Sequence, residues 1–158
     1  MGKLGRQAAK WLSEKGAGEV VLVSRRQPNE ETAAFLQQLN CKVTVHNANL
    51  GSGEEMEGLF ARFGDDVLPL AGVIHAAGVL DDGLIEQQTW ERFEKVLTPK
   101  IVGSTLLDEL TAELTLDFFV LYSSAASTLG SRGQSNYCLL YTSPSPRDQR
   151  GSRMPSSA

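Results

Sequence analysis

The sequence predicts an α/β protein with a doubly wound, mostly parallel sheet, and three observations carry that expectation. Four short apolar runs, at 19–24, 42–46, 70–75 and 116–122, have the length and composition of strands buried on both faces. Stretches with helical spacing separate them, long enough to carry the chain back for parallel pairing. Helix caps and glycines punctuate the joints between them.

The elements follow in order. Residues 4–15 read as a helix ended by Gly16 and Gly18. Residues 19–24 are the first strand, 30–39 a helix and 42–46 the second strand. Ser52 with Glu55 makes a capping box, opening a helix to about Phe63. Residues 70–75 form the third strand and 89–97 a helix. Thr98 and Pro99 read as the cap and first residue of another helix through Leu110, ahead of a fourth strand at 116–122.

Composition narrows the function. A net charge of −4 gives no concentrated basic face for nucleic acid, and no apolar run approaches a membrane span. The start of the chain lacks the apolar core of a secretory signal. Cys41 and Cys138 have no metal-ligand spacing and read as reduced packing residues of a cytoplasmic protein. Residues 1–138 form the domain. Residues 139–158 hold three of the six prolines, five serines and three arginines, and are expected to be disordered. That tail resembles a translated sequencing adapter more than a natural linker. With its three arginines against one aspartate set aside, the domain alone carries −6.

The chemistry lies at strand ends. Gly2-Lys3-Leu4-Gly5 stands ahead of a helix, where glycines let the backbone approach a pyrophosphate. Ser24-Arg25-Arg26 closes the strand beside which a dinucleotide's adenosine ribose sits. An acid there would select a 2′-hydroxyl; basic residues and a serine select the 2′-phosphate of NADPH. Ala76-Ala77-Gly78 closes the third strand with residues small enough for a cofactor to lie against the backbone. His75 is assigned no catalytic role. Ser124 lies just past the fourth strand, 13 residues before Tyr137.

The string Tyr122-Ser-Ser-Ala-Ala-Ser-Thr-Leu-Gly-Ser-Arg-Gly-Gln-Ser-Asn-Tyr137 resembles the catalytic segment of modular polyketide synthase ketoreductases, members of the short-chain dehydrogenase superfamily. So do His75-Ala-Ala-Gly-Val-Leu-Asp-Asp-Gly-Leu84, Thr98-Pro-Lys-Ile-Val-Gly103 and the glycine-bearing opening, over nearly all of residues 2–138. The resemblance implies a Rossmann-like, three-layer α/β/α fold. It implies Ser124, Tyr137 and Lys100 as catalytic residues, and Gly2, Leu4, Gly5, Ser24, Arg25, Asn49, Ala76, Ala77 and Gly78 as cofactor-binding ones. Asn49 stands where many relatives carry an aspartate. Tyr141 stands where the family has an asparagine, at the edge of the unusual tail.

The implied reaction is NADPH-dependent reduction of a β-ketoacyl chain on an acyl carrier protein, with other synthase domains in cis and neither nucleic acid nor membrane as partner. A phenol donates a proton poorly at neutral pH, and a neighbouring ammonium favours its phenolate. Lys100 would so assist Tyr137 in protonating the alkoxide, while Ser124 donates to the oxygen on which charge develops. Leu80-Asp81-Asp82 resembles the family's marker for a D-configured alcohol, and Leu129 stands where the opposite type carries tryptophan. A stand-alone short-chain dehydrogenase and a non-catalytic scaffold are the alternatives. The sheet is expected to be incomplete, lacking the central first strand between residues 19–24 and 70–75, and the chain alone to be unstable and inactive.

Overall fold

The computed structural model describes residues 2–140, and these divide into two compact units. The first comprises Met1–Ala77 with Glu113–Leu121 and holds every strand among the described residues. The second comprises Gly78–Ala112 with residues 122–140 among those described, and is built from helices and turns.

In the first unit, α1 (Lys3–Glu14) turns Ala9 and Ser13 inward and packs on β1 (Glu19–Ser24). It ends at Gly16, whose φ of +90° is open to a residue without a Cβ. Next come α2 (Glu30–Leu36), β2 (Lys42–Asn47), α3 (Gly53–Phe60), β3 (Gly72–His75) and β4 (Phe118–Leu121). β1 pairs with β2 in parallel, Val20 opposite Val43 and Leu22 opposite Val45, and β3 pairs with β4 in parallel, Gly72 opposite Phe118. A Cβ at Gly72 would run into the Phe118 ring, so this register needs glycine there.

The chain thus has the α/β architecture and parallel pairing expected, as two two-stranded sheets. Among the described residues no ladder joins β1 to β3, the place where the sequence reading leaves a strand lacking.

The second unit holds a 3-10 turn (Ile85–Gln87), α4 (Trp90–Leu97), α5 (Ile101–Leu110), α6 (Ala126–Leu129) and α7 (Ser135–Leu140), with α7 packed on α4 and α6. Val96, Leu107 and Leu140 are buried in it. α7 runs through Leu139 and Leu140, two residues past the boundary drawn at Cys138. The rest of the tail, from Tyr141, lies outside the described residues. No helix among the described residues is long and apolar enough to cross a membrane.

Two capping expectations are corrected. Thr98 does not open α5: it stays helical at the end of α4, and its hydroxyl donates to the carbonyl of Glu94. A β-branched hydroxyl in that conformation reaches the preceding turn more readily than the next helix. Ser52 does cap α3, accepting from Glu55 N at 3.4 Å, but the box is not reciprocal. The Glu55 carboxylate accepts instead from Asn49 N at 2.8 Å, because Ser52 N already donates to Asn49 O. The helices expected over 30–39 and up to Phe63 also end early, at Leu36 and Phe60.

Candidate active site

Lys100 sits in the turn between α4 and α5, and only 8% of it is exposed. A lysine is seldom so covered without a partner. Its Nζ donates to the carbonyl of Tyr122 at 2.7 Å, just past β4 and two residues before Ser124. Its stem passes 4.0 Å from where a Cβ on Gly78 would stand, so the glycine leaves room for it. Burial brings its pKa down from 10.5 to about 8, leaving it mostly charged at neutral pH.

Ser124 is half-buried, and its Oγ accepts from Ala126 N at 3.2 Å. Tyr137 is half-buried on α7, its N–H donating to Asn136 Oδ1 at 2.7 Å. The three residues named as catalytic therefore belong to one compact unit.

The same unit holds a cluster the sequence reading did not assemble. Arg92 Nε and Nη2 both donate to Asp81 Oδ1, at 2.9 and 2.5 Å, and Lys95 Nζ donates to Asp81 Oδ2 at 2.6 Å. Lys95 and Arg92 hold the Asp81 carboxyl below the usual carboxylate range. Arg92 also donates to the carbonyls of Asp82 at 2.7 Å and Gln87 at 3.1 Å. A Cβ on Gly83 would come 2.7 Å from Arg92 Nη1, so the guanidinium occupies the space glycine leaves. One sequence signal was available: Arg92 and Lys95 lie three apart on one face of α4, downstream of an Asp-Asp-Gly turn.

The residues named for cofactor binding lie in the first unit, apart from Gly78. Gly2 caps α1 with extended backbone and no side-chain bond, leaving first-turn N–H groups open to an anion. Leu4 is exposed and Gly5 half-exposed in that first turn. Ser24 ends β1, its Oγ accepting from Arg26 N at 3.4 Å. Arg25 and Arg26 are exposed, and among the described residues neither enters an ion pair. Asn49 is exposed, its Oδ1 accepting from Gly51 N at 3.2 Å. Ala76 and Ala77 follow β3.

The model of the KR domain family matches residues 1–140. The chain belongs to the KR domain family. It is 40% identical over 145 residues to the hybrid PKS-NRPS synthetase fsa1 of Fusarium sp. (strain FN080326), covering 86% of this chain and 4% of that protein. Its fold matches a crystal structure of a ketoreductase domain from the bacillaene assembly line with a TM-score of 0.84 and 30% identity, covering 89% of this chain and 35% of that one. A structure of A-type ketoreductases from a modular polyketide synthase matches with a TM-score of 0.79 and 36% identity, over 89% of this chain and 31% of that one. The chain spans a few per cent of the synthetase and about a third of each solved ketoreductase.

Within this KR domain chain, the donor set at the end of β1 fits a nicotinamide dinucleotide phosphate. It offers two exposed guanidinium groups that enter no ion pair among the described residues, a hydroxyl and no carboxylate through Asn29, the charge balance a 2′-phosphate needs. The open first turn of α1 suits the pyrophosphate.

Proposed function

We propose that residues 2–140 work as part of a larger synthase, reducing a β-ketoacyl thioester on an acyl carrier protein to the 3-hydroxyacyl thioester with NADPH. The observation that carries this reading is the buried ammonium of Lys100 on the Tyr122 carbonyl, in the unit that also holds Ser124 and Tyr137. Burying a charged lysine costs stability, and such groups are kept where chemistry needs them.

When bound, NADPH supplies the hydride. Ser124 then holds the carbonyl oxygen through its O–H, where negative charge gathers. Tyr137 delivers the proton to that oxygen from its phenol. Lys100 places a positive charge in a low-dielectric setting, where it favours the phenolate left behind. Arg25, with Ser24 and Arg26, selects NADPH over NADH. Gly2, Leu4, Gly5, Asn49, Ala76, Ala77 and Gly78 line the remainder of the cofactor's path. The Leu80-Asp81-Asp82 segment supports a D-configured product, and the setting is the cytoplasm.

The test is NADPH oxidation by the synthase carrying this domain, with a 3-oxoacyl thioester of N-acetylcysteamine as substrate. Tyr137→Phe is expected to lower kcat by about a hundredfold or more, the scale of a lost general acid. Unchanged turnover in that variant would remove the proposal.

A further inference from the structure

We propose that the loop at Asp81–Gly83 is a brace that positions Tyr137, with Arg92 and Asn136 as its two working residues. The inference rests on the reading of Tyr137 as the proton donor. Both oxygens of the Asp81 carboxylate are taken up inside the protein, one by the Arg92 fork and the other by Lys95. Arg92 goes on to hold the carbonyls of Asp82 and Gln87. The loop is thereby fastened to α4 at several points, with the Asp81 carboxylate held on both oxygens while Asp82 stays exposed.

The other face of the loop grips the segment that leads into Tyr137. Asn136 is fully buried, and its Nδ2 donates to the carbonyl of Asp81 at 2.9 Å while its Oδ1 accepts from Tyr137 N at 2.7 Å. Gln134 Nε2 reaches both oxygens of the Asp82 carboxylate at 3.0 Å. Gly83 N donates to Gly133 O at 2.8 Å, and Gly133 takes a φ of +76° that suits glycine. Three donors therefore tie loop 81–83 to residues 133–136 through four bonds. The described residues of α7 are Ser135–Leu140, and these ties hold its first turn to the loop. A planar amide joined at one end to a fixed carbonyl and at the other to the Tyr137 backbone sets where the phenol's helix begins.

The synthase carrying this domain tests it through a double-mutant cycle. Asn136→Leu keeps the branched heavy-atom shape, with bulkier ends, and removes both bonds, and is expected to lower kcat about tenfold to a hundredfold, the scale of a misplacement near 1 Å. The KM for NADPH should stay within about twofold, because the cofactor's residues are not touched. In a Tyr137→Phe background the same substitution should cost about nothing more, because a residue acting through the phenol has nothing left to position. Arg92→Gln is expected to behave in the same way, with Arg92→Lys recovering part of the rate. Should Asn136→Leu fail to fold, Gln134→Leu, which loses only an exposed contact, supplies the same cycle with a smaller expected loss. Folded variants with undiminished kcat, or losses that multiply with that of Tyr137→Phe, would overturn the brace. A Tyr137→Phe enzyme of full activity would instead overturn the reading of the phenol.

Discussion

In the unit built from Met1–Ala77 and Glu113–Leu121, β1 and β2 run side by side over six register pairs, and β3 and β4 over four. In the unit that begins at Gly78 no strand is present among the described residues. Long-range order there comes from Arg92, Lys95, Lys100, Gln134 and Asn136 donating to carbonyls and carboxylates. Backbone ladders tolerate most side-chain substitutions, because every residue brings the same donor and acceptor. Side-chain ties do not, because each depends on one residue type. The residues proposed to hold the cofactor, Gly78 apart, therefore sit in the unit with the tolerant frame, while those proposed to carry the chemistry sit in the intolerant one.

The largest expected effect concerns the ladders. A two-stranded sheet is marginal in water, and this unit has two, with β1 and β3 each lacking a second partner among the described residues. With a typical reserve of only about 5–15 kcal/mol, several unpaired backbone groups at about 1–3 kcal/mol each would exhaust it. The 158-residue chain expressed alone is expected to melt without a sharp transition and to show no NADPH-dependent ketone reduction. Calorimetry and the reduction assay check this, and a cooperative melt with turnover would break the comparison at its first step.

The two frames were not equally legible. β1 falls on residues 19–24 as read, because an unbroken apolar run marks a parallel strand locally, but the burial expected on both faces is not found: only Val20 is buried and Val23 is exposed. β3 and β4 are shorter than expected, since Leu70 and Leu116 are apolar but lie before the ladder begins. The brace was invisible for a different reason. Asn136 meets Asp81 across 55 positions and Gln134 meets Asp82 across 52, and no local pattern records such a meeting. Asp81-Asp82-Gly83 could be read as a polar turn or a family marker, but nothing in it names Arg92. Ser124, Tyr137 and Lys100 were named through resemblance, since each residue type is common and spacing alone would not have singled them out.

The next effect separates stability from activity in the helical unit. The pKa of Lys100 falls from 10.5 unfolded to about 8 folded, so below pH 8 the fold carries the full penalty of a buried charge. As pH rises from 8 to 10.5 the unfolded chain binds more protons, and that penalty is relieved. At about 1.4 kcal/mol per unit the shift is worth roughly 3 kcal/mol at most, set against about 1 kcal/mol for the donor the Tyr122 carbonyl would lose. In a complete ketoreductase domain at pH 7, Lys100→Met is therefore expected to raise Tm by a few degrees while lowering kcat about a hundredfold. Wild-type reduction should decline above pH 8 as the ammonium is lost, and the variant should show no such limb. A variant both less stable and fully active would mean that Lys100 is only a strut.

The smallest effect belongs to the tolerant frame. Arg25 is exposed at the end of β1 and enters no ion pair among the described residues, so its removal disturbs neither the ladder nor any neighbour's charge. What it would lose is a charge-assisted bond to a 2′-phosphate, about 1.5 to 3 kcal/mol where desolvated and less where water competes. Arg26 stands beside it, and its N–H already donates to Ser24 Oγ, so part of the phosphate's electrostatic attraction survives. Arg25→Ala is expected to raise the KM for NADPH about tenfold, leaving kcat, Tm and the KM for NADH within about twofold of wild type. Steady-state kinetics with both cofactors decide it. An equal rise with NADH would place Arg25 against the part the two cofactors share, and a fall in Tm would show that this exposed guanidinium supports the fold after all.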